Sequence, residues 1–248
     1  MPIMDETTTM MSLTVDGNAY GFSGTRIDRL GAAEYTLVTI VADVSGSVGG
    51  FKGEIESCIS DIVHACSRSA RADNLMLRLV TFNSIIHEVH GYKPLIECAP
   101  DAYRGSLQTG GTTALYDATH NAVGALSRYG RELTENDFDV NAILFVITDG
   151  GDNASIQTPI GVSEAISDVV NGEQVESVVS ILVGVSVQDP TLSTYLMDFS
   201  AKAGFTQYVE LANADPTTLS QLADFASRSI ATQSSSLGTN SASQPLVF

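Results

Sequence analysis

The apolar stretches of this chain are short and β-branched, and polar turns separate them. Residues 35–42, 75–82, 141–148 and 176–185 read as strands buried on both faces, and 208–211 as a last short one. Between them the apolar positions change to helical spacing. Phe51, Ile55, Cys58, Ile59, Ile62, Val63 and Cys66 line one face of a helix that ends near Ser67 and Arg68. Leu115, Ala118, Ala122, Ala125 and Leu126 do the same over 114–129. Further helices are predicted over 158–170 and 190–203. A final one is capped by Asp215-Pro216, with Leu219, Leu222, Ala223, Ala226 and Ile230 facing inward.

Strand and helix alternate throughout, which predicts an α/β fold. The expected architecture is a Rossmann-like three-layer sandwich whose mostly parallel sheet has about six strands, with helices on both faces. Ile85 to Tyr92, after an Asn83-Ser84 turn, reads as an antiparallel strand toward one edge. Ser12 to Val15 and Ala19 to Phe22, joined by Asp16-Gly17, predict a small hairpin attached to the main sheet. The resulting partition is a flexible N-terminus over 1–10, a hairpin extension over 11–34, one α/β domain over 35–231 and a flexible tail over 232–248. That tail is rich in Ser, Thr, Asn and Gln and ends on the apolar Pro245-Leu246-Val247-Phe248.

Charge narrows the function classes. Lys and Arg total 12 against 29 Asp and Glu, a formal net charge of −17. Such a surface excludes binding to nucleic acid or anionic membranes through a basic patch. No apolar run approaches the roughly 20 residues that span a bilayer. The first residues lack the basic and apolar regions of a secretory signal, so the expected location is cytoplasmic. Cys58, Cys66 and Cys98 show no metal-ligand spacing and read as buried free thiols, which fits a reducing compartment. His87 and His90, three apart in a strand, fall on opposite faces and form no metal pair.

Candidate chemistry sits at strand ends. The run 38–47 leads from an apolar strand into Asp43-Val44-Ser45-Gly46-Ser47. In open parallel sheets the ligand crevice lies just beyond the carboxyl ends of the strands. One carboxylate with two hydroxyls is a hard-oxygen set suited to Mg²⁺ or Mn²⁺. The helix after Ser47 is expected to present its N-terminus beside Asp43, where the dipole favours an anion. Two further segments share this character: Gly110-Gly111-Thr112-Thr113-Ala114-Leu115-Tyr116-Asp117-Ala118, and the strand ending in Thr148-Asp149-Gly150.

These three segments, in this order, resemble the metal-ion-dependent adhesion site of von Willebrand factor type A domains. The resemblance covers 35–231 and is closest to stand-alone intracellular bacterial members of the family. It implies that Asp43, Ser45, Ser47, Thr113 and Asp149 hold a Mg²⁺ or Mn²⁺ ion, the serines and threonine directly and the aspartates mainly through water. Thr112 is the alternative threonine. The Gly-Gly pair favours Thr112, whereas spacing to the sheet-facing Ala118 favours Thr113. Asp152 and Asn153 add oxygen near the same rim and hold the loop through Asx-turns or tune the site from behind. Asp117 serves its helix N-terminus rather than the metal. The competing explanation is that Ser45, Ser47 and Thr113 cap the helices that follow them while the aspartates accept loop N–H groups.

The implied function is non-enzymatic: a protein-interaction module in which a partner's Glu or Asp completes the metal's coordination. Implied partners include an AAA+ ATPase or a multiprotein complex. A structural subunit of a larger assembly and a metal-dependent hydrolase are the alternatives. Against the hydrolase, the sequence offers no activated nucleophile and no P-loop, and the first strand lacks the Gly-rich dinucleotide turn.

Overall fold

The computed structural model describes residues 10–14, 21–172, 174–237 and 246–248. Eight strands form one sheet in the order β1-β2-β5-β4-β3-β6-β7-β8. They are β1 Met10–Thr14, β2 Gly21–Thr25, β3 Glu34–Asp43, β4 Leu75–Phe82, β5 Ile86–Pro94, β6 Asp139–Thr148, β7 Val178–Gly184 and β8 Gln207–Glu210. The β1/β2 and β4/β5 pairings are antiparallel and the others parallel. The fold class is therefore as the patterning predicts, with β3 and β6 at the centre. Every residue of β3 after Glu34 is buried. This matches its unbroken apolar run, because a parallel strand is covered on both faces.

Alternation along the strands sorts their side chains between two cores. Val38, Ile40, Ala42, Ile143, Phe145 and Ile147 pack with α1 (Lys52–Ser67) and α5 (Pro216–Ser236). Leu37, Val41, Leu144 and Val146 pack on the other face. There they meet α2 (Leu115–Thr134), α3 (Pro159–Asn171) and α4 (Pro190–Ala203). The helix starts follow local rules. Thr158, Asp189 and Asp215 accept from Gly161 N, Thr191 N and Thr218 N, and a proline occupies the first turn each time.

Four boundaries differ from the sequence expectation. The hairpin is an integral part of the sheet rather than an appendage, so β5 lies inside it instead of at its edge. Gly24 pairs with Tyr92, and Glu88 of β5 accepts from both the backbone N and the hydroxyl of Ser23 at 2.9 and 2.7 Å. Close approach is possible because position 91 is glycine: a Cβ there would lie 1.9 Å from the Ser23 carbonyl oxygen. The Asp16-Gly17 turn and residues 1–9 lie outside the described residues, and Met10, placed in the flexible N-terminus, opens β1.

Helix α2 runs past residue 129 to Thr134. Leu133 extends its buried stripe, and the neighbouring charges form a half-buried Arg128–Glu132 pair. The N-terminus of α1 does not adjoin Asp43 directly, because a 3₁₀ turn over Gly46–Gly50 intervenes.

Helix α5 continues through Ser236, so 232–236 is helix and not tail. Gln233 and Ser234 are buried there, and the Gln233 side chain donates to the carbonyls of Ala142 and Ser177 at 3.0 and 3.2 Å. Periodicity of apolar residues misses this turn because its buried positions are polar. Residues 238–245 lie outside the described residues; beyond them, Leu246 packs on the core and the Phe248 ring meets Phe225 edge-on at 5.3 Å. Cys58, Cys66 and Cys98 are buried free thiols, as expected. Among the described residues no helix is long and apolar enough to cross a membrane.

Candidate metal centre

Asp43 is the last residue of β3 and Asp149 follows β6, its neighbour in the sheet. The two carboxylates are thereby delivered to the same edge by the strand pairing itself. Asp43 is fully buried. One of its oxygens accepts from Ser45 N at 2.7 Å, and the other from the Thr148 hydroxyl at 2.6 Å. The Ser45 and Ser47 hydroxyls are 3.2 Å apart, and Ser47 Oγ donates to Asp149 Oδ1 at 2.8 Å. Because Ser47 gives its proton to Asp149, the Ser45 proton serves the Ser45–Ser47 bond. Asp43, Ser45, Ser47 and Asp149 thus form one hydrogen-bonded chain, joined at Asp43 through the Ser45 N–H, from a buried floor to an exposed rim.

The third segment is drawn onto this chain by backbone bonds. Gly110 N donates to Val44 O at 2.8 Å, and Gly46 N to Gly111 O at 3.2 Å. Gly111 has φ +81°, a conformation side chains rarely adopt, which accounts for glycine there. Thr113 is buried and Thr112 exposed. A Cβ built on Gly150 would lie 3.9 Å from Thr113 Oγ1, so this hydroxyl borders the Asp149 loop. Asn153 holds it there: its side-chain oxygen accepts from Thr113 N at 2.8 Å, and its own N donates to Thr113 O at 2.9 Å.

Asp152 faces its own loop, accepting from the Ser155 hydroxyl at 2.5 Å. The Asp117 carboxylate accepts from Ile156 N and Gln157 N, so it ties the 152–157 loop to α2. Neither carboxylate is among the oxygens of the Asp43–Asp149 chain. Three contributors have no marker in the sequence. Thr148 reads only as the end of an apolar run, yet it holds Asp43. Asn83 reads only as a turn, yet its side chain donates to Gly110 O at 2.7 Å. Tyr195 of α4 lies far away in the chain, yet its hydroxyl accepts from Asp152 N at 3.0 Å and bonds the Tyr116 hydroxyl.

Of the competing explanation, Asp43 does accept a loop N–H, from Ser45, but the helix capping is not made. No side-chain cap is made by Ser45 at the 3₁₀ turn, and α1 and α2 begin at Phe51 and Ala114 without side-chain caps. The hydroxyls of Ser45 and Ser47 are committed to each other and to Asp149 instead.

The electrostatics of the two carboxylates are set by burial. Burial raises the Asp43 carboxyl above its ordinary range, against the lowering effect of the Thr148 and Ser45 bonds. Burial pushes Asp149 up to about 6; the Ser47 bond opposes this and the nearby Asp43 charge adds to it. Two carboxylates balanced only by neutral hydroxyls hold a proton more tightly than free ones, and a cation reverses that preference. Among the described residues no group of three or more His, Cys, Asp or Glu could hold a metal. A cation here therefore relies on hydroxyl and water oxygens beside two carboxylates, a donor set that fits Mg²⁺ or Mn²⁺.

His87 and His90 do not converge either. His87 is exposed, while His90 packs on Tyr103 with Nε2 3.0 Å from its hydroxyl.

No protein-family model matches the chain, and no curated protein does. Solved structures share its fold. The PilB minor pilin from Streptococcus sanguinis is similar at 13% identity and TM-score 0.56, over 84% of this chain and 64% of that one. The pilus adhesin SpaC from Lactobacillus rhamnosus GG is similar at 10% identity and TM-score 0.58, over 92% of this chain and 34% of that one. Proximal thread matrix protein 1 from the mussel byssus is similar at 18% identity and TM-score 0.52, over 82% and 47%. The chain thus spans under two thirds of these structures, and at such identities the likeness establishes a shared α/β sheet fold.

Proposed function

We propose that this chain is a divalent-metal-dependent protein-interaction module of the von Willebrand factor type A kind. The observation that carries the reading is the hydrogen-bonded chain Asp43–Ser45–Ser47–Asp149 at the carboxyl edge of the two central strands. Thr113 borders it, and none of its three hydroxyl residues caps a helix. Ser45, Ser47 and Thr113 would hold Mg²⁺ or Mn²⁺ directly, and Asp43 and Asp149 would orient its waters. The ion would supply an electrophilic position for a partner's Glu or Asp oxygen. Mostly neutral ligands leave that position attractive to a carboxylate, which the net charge of −17 otherwise repels.

Asp43 orients Ser45 through the 2.7 Å bond to its N–H, while Thr148 fixes the other carboxylate oxygen. Asn153 sets the depth of Thr113. In this reading the role is binding and not catalysis, since the serine hydroxyls and both carboxylates are taken up by the ion and its waters. The test is calorimetric titration with Mg²⁺ and Mn²⁺, followed by affinity capture with and without chelator. Binding of either ion, and partners lost on chelation and with Ser45→Ala/Ser47→Ala, are the expected results. Capture that survives both removes this edge from the interaction.

A further inference from the structure

The opposite, amino end of the same strands carries a second polar cluster. Thr36 of β3 and Asn141 of β6 are register partners. Alternation puts both on the face of Val38 and Ile143, beneath α5. Ser229 and Gln233 lie one turn apart on the buried side of α5. Asn141 Nδ2 donates to Gln233 O at 2.5 Å, which seats the helix directly over the strand pair. All four residues are at most 5% exposed.

Four oxygens of this cluster, Thr36 Oγ1, Asn141 Oδ1, Ser229 Oγ and Gln233 Oε1, make no hydrogen bond to a protein group. They make up half of the eight such atoms among the described residues. Both amide nitrogens already donate, Asn141 through one of its two N–H groups. Asn141 Nδ2 is bound to Gln233 O, and Gln233 Nε2 to Ala142 O, Ser177 O and Ser177 Oγ. The four atoms with no partner are two amide oxygens, which only accept, and two hydroxyls, which donate. A water molecule presents the complement, two donors and two acceptors. Buried polar atoms left unpaired are costly and rare in folded proteins.

We infer that Thr36, Asn141, Ser229 and Gln233 form a binding site for buried water that pins the last turns of α5 to β3 and β6. A bound water accepts from the Thr36 and Ser229 hydroxyls and donates to Asn141 Oδ1 and Gln233 Oε1. A monovalent cation would meet only oxygens there as well, but it cannot use the hydroxyl protons, and no carboxylate belongs to the cluster. The site is independent of the metal reading, being at the other end of the sheet.

Thr36→Val in the full-length protein gives a test whose sign decides. The two side chains have the same shape, so the substitution removes a hydroxyl and little else. If the hydroxyl bonds buried water, the melting temperature falls by about 2–4 °C. Ser229→Ala should then be non-additive with it, since both hydroxyls bond the same solvent. If the hydroxyl is unpaired, Thr36→Val raises the melting temperature, and the inference is overturned. A high-resolution crystal structure of the unaltered protein provides the second measurement. A solvent peak bonded to at least three of the four oxygens supports the site. The four oxygens paired among themselves, or a peak that exchanges with Tl⁺ and so marks a cation, rejects it.

Discussion

The two ends of strands β3 and β6 make an instructive pair. Both ends replace apolar side chains with polar ones, carboxylates and hydroxyls at the carboxyl end and hydroxyls and amides at the amino end, and both join the same two strands to other elements. At the carboxyl end the polar chain climbs from buried Asp43 to exposed Ser47, so its last oxygens face solvent. At the amino end Thr36, Asn141 and Gln233 are sealed beneath α5. An open polar chain can exchange partners, whereas a closed one can only hold elements together. The difference teaches that placement relative to a covering helix separates a polar edge open to solvent from one sealed in the core.

The strongest way to break this comparison is to remove the lid of the amino end. A chain ending at Ala231 loses the Gln233 bonds, the buried Ser234 and the Phe248 contact. We expect it to lose about 4 kcal/mol of stability, or about 10 °C in melting temperature, while retaining Mg²⁺ affinity. A truncation that melts normally would return 232–236 to the status of a tail.

Asp43→Asn addresses the carboxyl end. Metal affinity should fall about 100-fold, because Asp43 orients the serine loop and the ion's waters. The metal-free protein should melt no lower than the unaltered one, since a neutral amide ends the cost of burying the charge. Calorimetry and thermal scans of the same sample check both halves, and a lower metal-free melting temperature would show that Asp43 is mainly structural.

Tyr195→Phe should act more weakly. It removes the acceptor of Asp152 N and the partner of the Tyr116 hydroxyl, loosening the Asp149 loop without touching the donors. About tenfold weaker Mg²⁺ binding at nearly constant melting temperature is expected. Unchanged affinity would detach α4 from the site.

The smallest effect belongs to neither end. Burial lowers His90 to about 4, with the Gly91 carbonyl bond opposing the shift. The folded protein therefore binds this proton less readily than the unfolded chain, so the contribution is complete above pH 6.5 and declines as pH falls from 6.5 through about 4. A His90→Gln variant should lose less stability than the unaltered protein over that window, measured by denaturant titration at each pH. Parallel losses in the two proteins would remove His90 as a source of the pH dependence.

Much of this was legible in the residues because it depends on local physics. The β-branched runs could only be buried strands, and the helix starts expected near 158, 190 and 215 are kept by the structure. The carboxylate and hydroxyl residues of the candidate centre were legible too, since strand ends are where loops carry such groups. Thr112 and Thr113 were not separable by spacing. Their difference in burial comes from Asn153, 40 residues on, which anchors one and leaves the other outside.

By itself the sequence determined the alternation of strands and helices, the two-core sandwich and the positions of Asp43, Ser45, Ser47 and Asp149 in the chain. Each follows from periodicity or from chain neighbours. Only the tertiary structure decided that Ser47 reaches Asp149 across 102 positions, that Glu88 draws the hairpin into the sheet, and that Gln233 finds its partners on the strands beneath α5. The reason is physical. A polar side chain carries no preference for inside or outside until a partner is brought within hydrogen-bonding distance, and only the packed fold brings it.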